Sequence, residues 1–298
     1  MCRSALLPAH PADDLVRTAE FDAGGLALSG LLALPEAVTP RAVVVALHGG
    51  GMCAGYFHGQ ADPASSLLAL STSCGYAALA LDRPGYGLSR PAVPEGMGLA
   101  GQAARVNAAL ADYARRFPVG AGFFLVGHSL GGKVALCTAA DWSGNCLLGV
   151  DVSGISDRWA VDPALLSETG GLRARGLHWG PLSLYPPRTF RLAEKLVTPV
   201  PVRETAEAVD WPSRFEQVAR AVRVPVRFTY AEHERWWRCD AQTVTAMAGH
   251  LSASPLVRIE YQASAGHNIS LGLAARSYHH RVLSFLEECL ARQALGGE

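Results

Sequence analysis

The sequence predicts an α/β fold: a mostly parallel sheet with helices on both faces and an antiparallel edge. Three observations carry this. Short apolar runs of strand length recur along the chain, each closed by Gly, Asp or His. Segments of helical periodicity lie between several of them, and nearly continuous apolar strands separated by helices are what a sheet buried on both faces requires. The 298 residues are 49% hydrophobic and 17% charged. That is apolar mass enough for one large α/β domain and too little charge for a disordered chain or a coiled coil.

Each element follows from its local pattern. Residues 16–21 and 26–34 flank Gly24-Gly25 and read as an antiparallel hairpin. Runs 42–47 and 77–81 are strands, with a helical stretch at 65–73 between them. A helix at 103–117 precedes strand 123–126, a helix at 133–140 follows it, and strand 147–152 comes next. Strands 224–230 and 256–261, with a further helix between them, complete the set. From about residue 156 to 212 the alternation breaks. This stretch holds Pro163, Pro181, Pro186, Pro187, Pro199, Pro201, Gly170-Gly171 and the tryptophans Trp159, Trp179 and Trp211. Structureless connections longer than ~12–15 residues are uncommon. The stretch is therefore expected to be an inserted, partly helical lid over the sheet's C-terminal edge. The expected organisation is a core of residues 1–155 and 213–298 with a lid of 156–212.

Charge and cysteines exclude several classes. Lys+Arg and Asp+Glu both number 26, so no net field favours nucleic acid or anionic lipid. No apolar run reaches the ~18–20 residues of a membrane helix. Met1 to Asp14, with Pro8, Pro11, Asp13 and Asp14, lacks the apolar stretch of a secretion signal. The seven cysteines are scattered and include no C-x-x-C pair, the usage of reduced thiols rather than of a disulfide framework or a zinc site. The expectation is a soluble cytoplasmic protein that takes a small molecule, binds neither nucleic acid nor membrane, and has a homodimer as its one further partner.

The sharpest chemical signal is Gly127-His128-Ser129-Leu130-Gly131, set between strand 123–126 and helix 133–140. In such a tight strand–turn–helix, side chains at the flanking positions would strike neighbouring backbone, so Gly127 and Gly131 are required. The elbow lifts Ser129 to a helix N-terminus, where backbone N–H groups and the helix dipole favour developing negative charge. A serine hydroxyl needs a base, and the base an orienting carboxylate. Glu232-His233-Glu234 follows strand 224–230, and Gly266-His267 follows strand 256–261. The order nucleophile, acid, base assigns Ser129, Glu234 and His267. Glu232, and then Asp157 or Asp151, are the alternative acids. Upstream, His48-Gly49-Gly50-Gly51 follows strand 42–47. Backbone N–H groups of Gly50, Gly51 and Leu130 are the expected oxyanion hole.

In these residues, and in Asp82-Arg83-Pro84-Gly85-Tyr86-Gly87 after strand 77–81, the chain resembles the α/β-hydrolase-fold serine hydrolases from about Val16 to Leu290. The resemblance implies an α/β-hydrolase fold, with an eight-stranded sheet and a lid inserted after the sixth strand. It also implies hydrolysis through an acyl-enzyme with no metal or organic cofactor. The family's acid is most often Asp, whereas the matching position here holds Glu234.

Two decoys fail. Gly127 to Lys133 spells a phosphate-binding loop, but Val134 stands where a metal-ligating Ser or Thr belongs. Gly49-x-Gly51-x-x-Ala54 mimics a dinucleotide fingerprint, but Asp82 lies beyond the ~20-residue spacing of the ribose acid. Neither explains the downstream acid and histidine. Trp179, Trp211, Trp236 and Trp237 are the candidate walls of an apolar pocket. The expected substrate is an ester or thioester of a fairly hydrophobic small molecule. An amidase, a C–C hydrolase or an acyl-transfer or cyclisation enzyme could use the same triad, and a ligand receptor with a vestigial triad is the reading from another class.

Overall fold

The computed structural model describes residues 16–36, 39–144, 146–166 and 172–296. Pro8 to Asp14 and Gly170-Gly171 lie outside the described residues.

The hairpin forms as its pattern requires. β1 (Val16–Asp22) pairs antiparallel with β2 (Ala27–Ala33), placing Phe21 opposite Leu28. Gly24 and Gly25 turn the chain with φ of +70° and +84°, a region open to glycine at little cost. β3 (Val43–Leu47), β4 (Ala77–Leu81), β5 (Phe123–His128), β6 (Leu147–Ser153), β7 (Val226–His233) and β8 (Val257–Gly266) follow. The strand order across the sheet is β1-β2-β4-β3-β5-β6-β7-β8. β1–β2 and β2–β4 pair antiparallel and the other pairs are parallel.

The helices are α1 (Leu67–Ser73), α2 (Leu99–Arg116), α3 (Leu130–Ala140), α4 (Leu172–Trp179), α5 (Thr189–Ala193), α6 (Val202–Val209), α7 (Trp211–Ala221), α8 (Ala241–Gly249) and α9 (Ala275–Gly296). Strand side chains alternate between two cores. Val45, Leu79, Leu125, Val152 and Phe228 meet Val106, Leu110, Val134 and Phe215 on one face. Val44, Ala80, Phe124 and Val126 meet Leu67, Val282 and Leu286 on the other. β3 and β4 are therefore apolar at every position, as a sheet covered on both sides demands.

Helices α4 to α6 lie in the expected insertion, between β6 and β7. Two prolines of this stretch start helices instead of breaking them. Pro201 caps α6 and Pro212 occupies the first turn of α7, where a missing N–H leaves no bond unmade. Because α7 begins at Trp211 and is continuous through Ala221, a boundary at residue 212 falls within one helix. β8 continues beyond the run 256–261: after an irregularity between Ala231 and His233, His233 pairs with Gly266. Among the described residues no helix is long and apolar enough to cross a membrane, and all six described cysteines are free.

Candidate active site

β5 lies between β3 and β6 and delivers Ser129 to the C-terminal edge of the sheet. Ser129 has φ 52° and ψ −120°. It and Ser264 are the non-glycine residues with positive φ among the described residues. Such a backbone costs about 1–3 kcal/mol and persists where its surroundings hold it. Here the Ser129 N–H donates to the Ser153 carbonyl at 2.8 Å. A Cβ on Gly127 would lie 2.6 Å from the Gly131 carbonyl, and one on Gly131 would strike the carbonyls of Leu47 and His48. Both flanking glycines are thus fixed by contact.

Strand register brings the acid to the base. With His233 opposite Gly266, the next residues Glu234 and His267 leave adjacent strands at one level, although 33 residues apart in the chain. His267 Nδ1 and Glu234 Oε2 are 2.7 Å apart, and both side chains are buried. Glu234 Oε1 accepts the backbone N–H groups of Arg235 (3.0 Å) and Trp236 (2.9 Å), which fixes the carboxylate. The imidazole lies against Gly154, next to the residue that holds the Ser129 amide. A Cβ there would come 2.9 Å from His267 Cε1.

The alternative acids are engaged elsewhere. Glu232 is exposed and accepts the Ser264 N–H at 2.7 Å. Asp157 takes the Ser156 hydroxyl at 3.2 Å. Asp151 is buried against Arg227 (2.5 Å) and the Tyr278 hydroxyl (2.9 Å).

Leu130 opens α3, where the first N–H groups have no partner within the helix. Gly50 faces it: a Cβ on Gly50 would sit 2.6 Å from Leu130 Cδ1. Gly51 departs from the expectation. Its N–H donates to Tyr86 Oη at 3.0 Å, so this amide is already committed, and the expected set of oxyanion donors narrows to Gly50 and Leu130.

The tryptophans also divide. Trp211 and Trp237 are buried and, with Trp159, surround the Lys133 ammonium at 5.6, 4.8 and 5.0 Å from their ring centroids. They form an aromatic cage whose ring faces attract the amine, so Trp211 and Trp237, expected as pocket walls, face Lys133. Lys133 Nζ donates to the Ala208 carbonyl at 3.2 Å, and burial pulls its pKa down to about 7. Trp179 packs on Tyr185 and Phe190, and its carbonyl abuts Gly266, which pins the insertion to the end of β8. Trp236 lies nearer the site, 4.9 Å from the His178 ring.

Two participants escaped sequence reasoning. Gly154 carries no motif, and its role shows only when the imidazole is seen against it. His178, a lone histidine on α4, stands 5.9 Å from the His267 ring, and its carbonyl accepts the Asn268 N–H at 3.3 Å. Burial, then the neighbouring His267, push the His178 pKa down to about 3. Burial likewise drives His48 and His128 well below the usual histidine range. Two of these neutral imidazoles, His128 and His178, stand beside the one backed by a carboxylate, 4.9 and 5.9 Å from the His267 ring. Among the described residues no group of three or more His, Cys, Asp or Glu side chains is placed to hold a metal ion.

Residues 44–285 match the model of the alpha/beta hydrolase family. The chain belongs to that family. Comparison with curated proteins gives no sequence match. Solved structures similar to this alpha/beta hydrolase include a thermostable carboxyl esterase from Bacillus coagulans, 17% identical over 92% of this chain and 98% of that one, with a TM-score of 0.65. A soluble variant of monoglyceride lipase from Saccharomyces cerevisiae is 16% identical over 92% and 94%, with a TM-score of 0.66. The thioesterase domain from the curacin biosynthetic pathway is 14% identical over 90% and 99%, with a TM-score of 0.63. At these identities the likeness carries the fold. Family membership makes the chain a hydrolase, and the bond it cleaves is argued from the site.

Proposed function

We infer that this alpha/beta hydrolase is a serine hydrolase that cleaves an ester or thioester of a fairly hydrophobic small molecule through an acyl-enzyme on Ser129. The observation that carries the reading is the buried His267–Glu234 pair at 2.7 Å, set beside the strand end that holds the Ser129 elbow. Ser129 Oγ attacks the carbonyl carbon while its proton passes to His267 Nε2. This transfer needs the two groups within hydrogen-bond reach in the substrate complex, where such contacts commonly tighten. Glu234 holds the imidazole in the tautomer that leaves Nε2 free to accept, and stabilises the imidazolium that forms. The tetrahedral oxyanion takes the N–H groups of Gly50 and Leu130. Collapse expels the alcohol or thiol, which leaves with the proton from His267, and water repeats the sequence on the acyl-enzyme. The structural relatives include an esterase, a lipase and a thioesterase, which supports this bond class.

A fluorophosphonate probe with a series of p-nitrophenyl acyl esters and acyl thioesters tests the reading. Stoichiometric labelling at Ser129, and a loss of at least a thousandfold in turnover for Ser129→Ala, are expected. An unlabelled protein would be a ligand receptor. Full turnover by Ser129→Ala would remove the serine from the chemistry.

A further inference from the structure

We propose that Glu204, carried on α6 of the insertion, is a positioning residue for the oxyanion loop and acts through Arg83 and Tyr86. The inference rests on the oxyanion assignment of the proposed function and adds to it the group that sets the geometry.

Side chains from the turn after β4 hold both ends of the loop 48–51. Arg83 Nε donates to the His48 carbonyl at 2.7 Å and Arg83 Nη2 to the Gly49 carbonyl at 3.2 Å. The Gly49 carbonyl also accepts His48 Nδ1–H at 2.8 Å. Tyr86 Oη takes the Gly51 N–H at 3.0 Å. These contacts bracket Gly50. A trans peptide is planar, with its N–H antiparallel to its C=O. Fixing the Gly49 carbonyl therefore fixes the direction of the Gly50 N–H, which shares its plane. Holding the Gly51 N–H fixes the plane on the other side of Gly50. Arg83 and Tyr86 thus aim the one loop amide assigned to the oxyanion without touching substrate.

Both end on one carboxylate. Tyr86 Oη donates to Glu204 Oε2 at 2.7 Å and Arg83 Nη2 to the same oxygen at 3.2 Å. Arg83 Nη1 meets Glu204 Oε1, which also accepts Gln102 Nε2 at 2.9 Å. The Arg83 and Glu204 side chains are fully buried. A buried guanidinium without its partner would be left uncompensated, so the carboxylate determines where Arg83 sits. The insertion touches the loop again at Thr198, whose N–H donates to the Gly51 carbonyl at 2.8 Å. Seating of the insertion and alignment of the oxyanion donor are therefore one event.

The decisive variants are Tyr86→Phe and Glu204→Gln, with Glu207→Gln as the control. Glu207 also fastens α6 to the core, through the Leu99 N–H at 2.6 Å, but lies outside the Glu204 network. The readouts are kcat and KM on the best p-nitrophenyl ester, inhibition by a trifluoromethyl ketone of the same acyl chain, and thermal unfolding. Misaligning one oxyanion donor, short of deleting it, is expected to lower kcat about tenfold. KM should stay within twofold, and the ketone, which adds to Ser129 as a tetrahedral oxyanion, should weaken by the same factor as kcat. Glu207→Gln should lower the unfolding temperature and leave kcat unchanged. If Glu204→Gln fails to fold, Tyr86→Phe, which deletes one hydroxyl, decides alone. Unchanged kcat and ketone inhibition in Tyr86→Phe, or an equal loss of kcat in Glu207→Gln, would reduce Glu204 to a structural staple. Wild-type protein labelled at Ser129 keeps that failure separate from failure of the serine hydrolase reading, in which the wild type itself would go unlabelled.

Discussion

Lys133→Met is expected to stabilise the protein near pH 6 and to lose that advantage as the pH rises. In an unfolded chain lysine titrates near 10.4, whereas burial brings Lys133 to about 7. The gap is about 3.5 pH units at about 1.36 kcal/mol each, so keeping the amine charged inside the fold costs about 5 kcal/mol. Below pH 7 the amine is charged in folded and unfolded states alike, and the penalty is felt in full. From about pH 7 to about pH 10 the folded amine is neutral while the unfolded one still holds its proton, so wild-type stability climbs with pH. Methionine has similar length and no charge, and should lack this climb. Urea unfolding of both proteins at pH 6, 8 and 9.5 measures the difference. The variant's advantage should shrink by about 3 kcal/mol between pH 6 and pH 9.5. Parallel pH curves, or a variant less stable at pH 6, would refute the account.

Glu234→Gln should lower kcat by about 10³–10⁴-fold, because an amide cannot accept both the imidazole N–H and two backbone N–H groups. The exposed Glu232→Gln should stay within twofold of wild type, and equal losses in ester kinetics would reject the assignment of the acid. Arg227→Met strands the buried Asp151 carboxylate and should cost about 3–5 kcal/mol of stability in thermal melts, with turnover per folded molecule preserved.

The elements most legible in the sequence are those whose geometry is local. Gly127, Ser129 and Gly131 announce the elbow because the turn admits no other residues at its flanks. The order of Glu234 and His267 was readable from strand ends, and the register of β7 on β8 explains why it sufficed. What stayed hidden is non-local. Nothing in the glycine run of residues 49–51 shows that a tyrosine 35 residues on occupies the third amide. Tryptophans next to an acid suggest a pocket until Lys133, on another helix, is found among them. His178 lies in a proline-rich stretch whose helices are set by tertiary packing, which sequence periodicity does not report.

Ser129 and its proton acceptor do not enjoy equal shelter. The elbow hangs from the middle of the sheet, whereas the imidazole hangs from β8, a border strand with β7 as its single neighbour. Peripheral strands fray at lower free energy than central ones. Mild heat or dilute denaturant would loosen this margin first and part the base from its carboxylate. The molecule should fall silent while most of its architecture still stands.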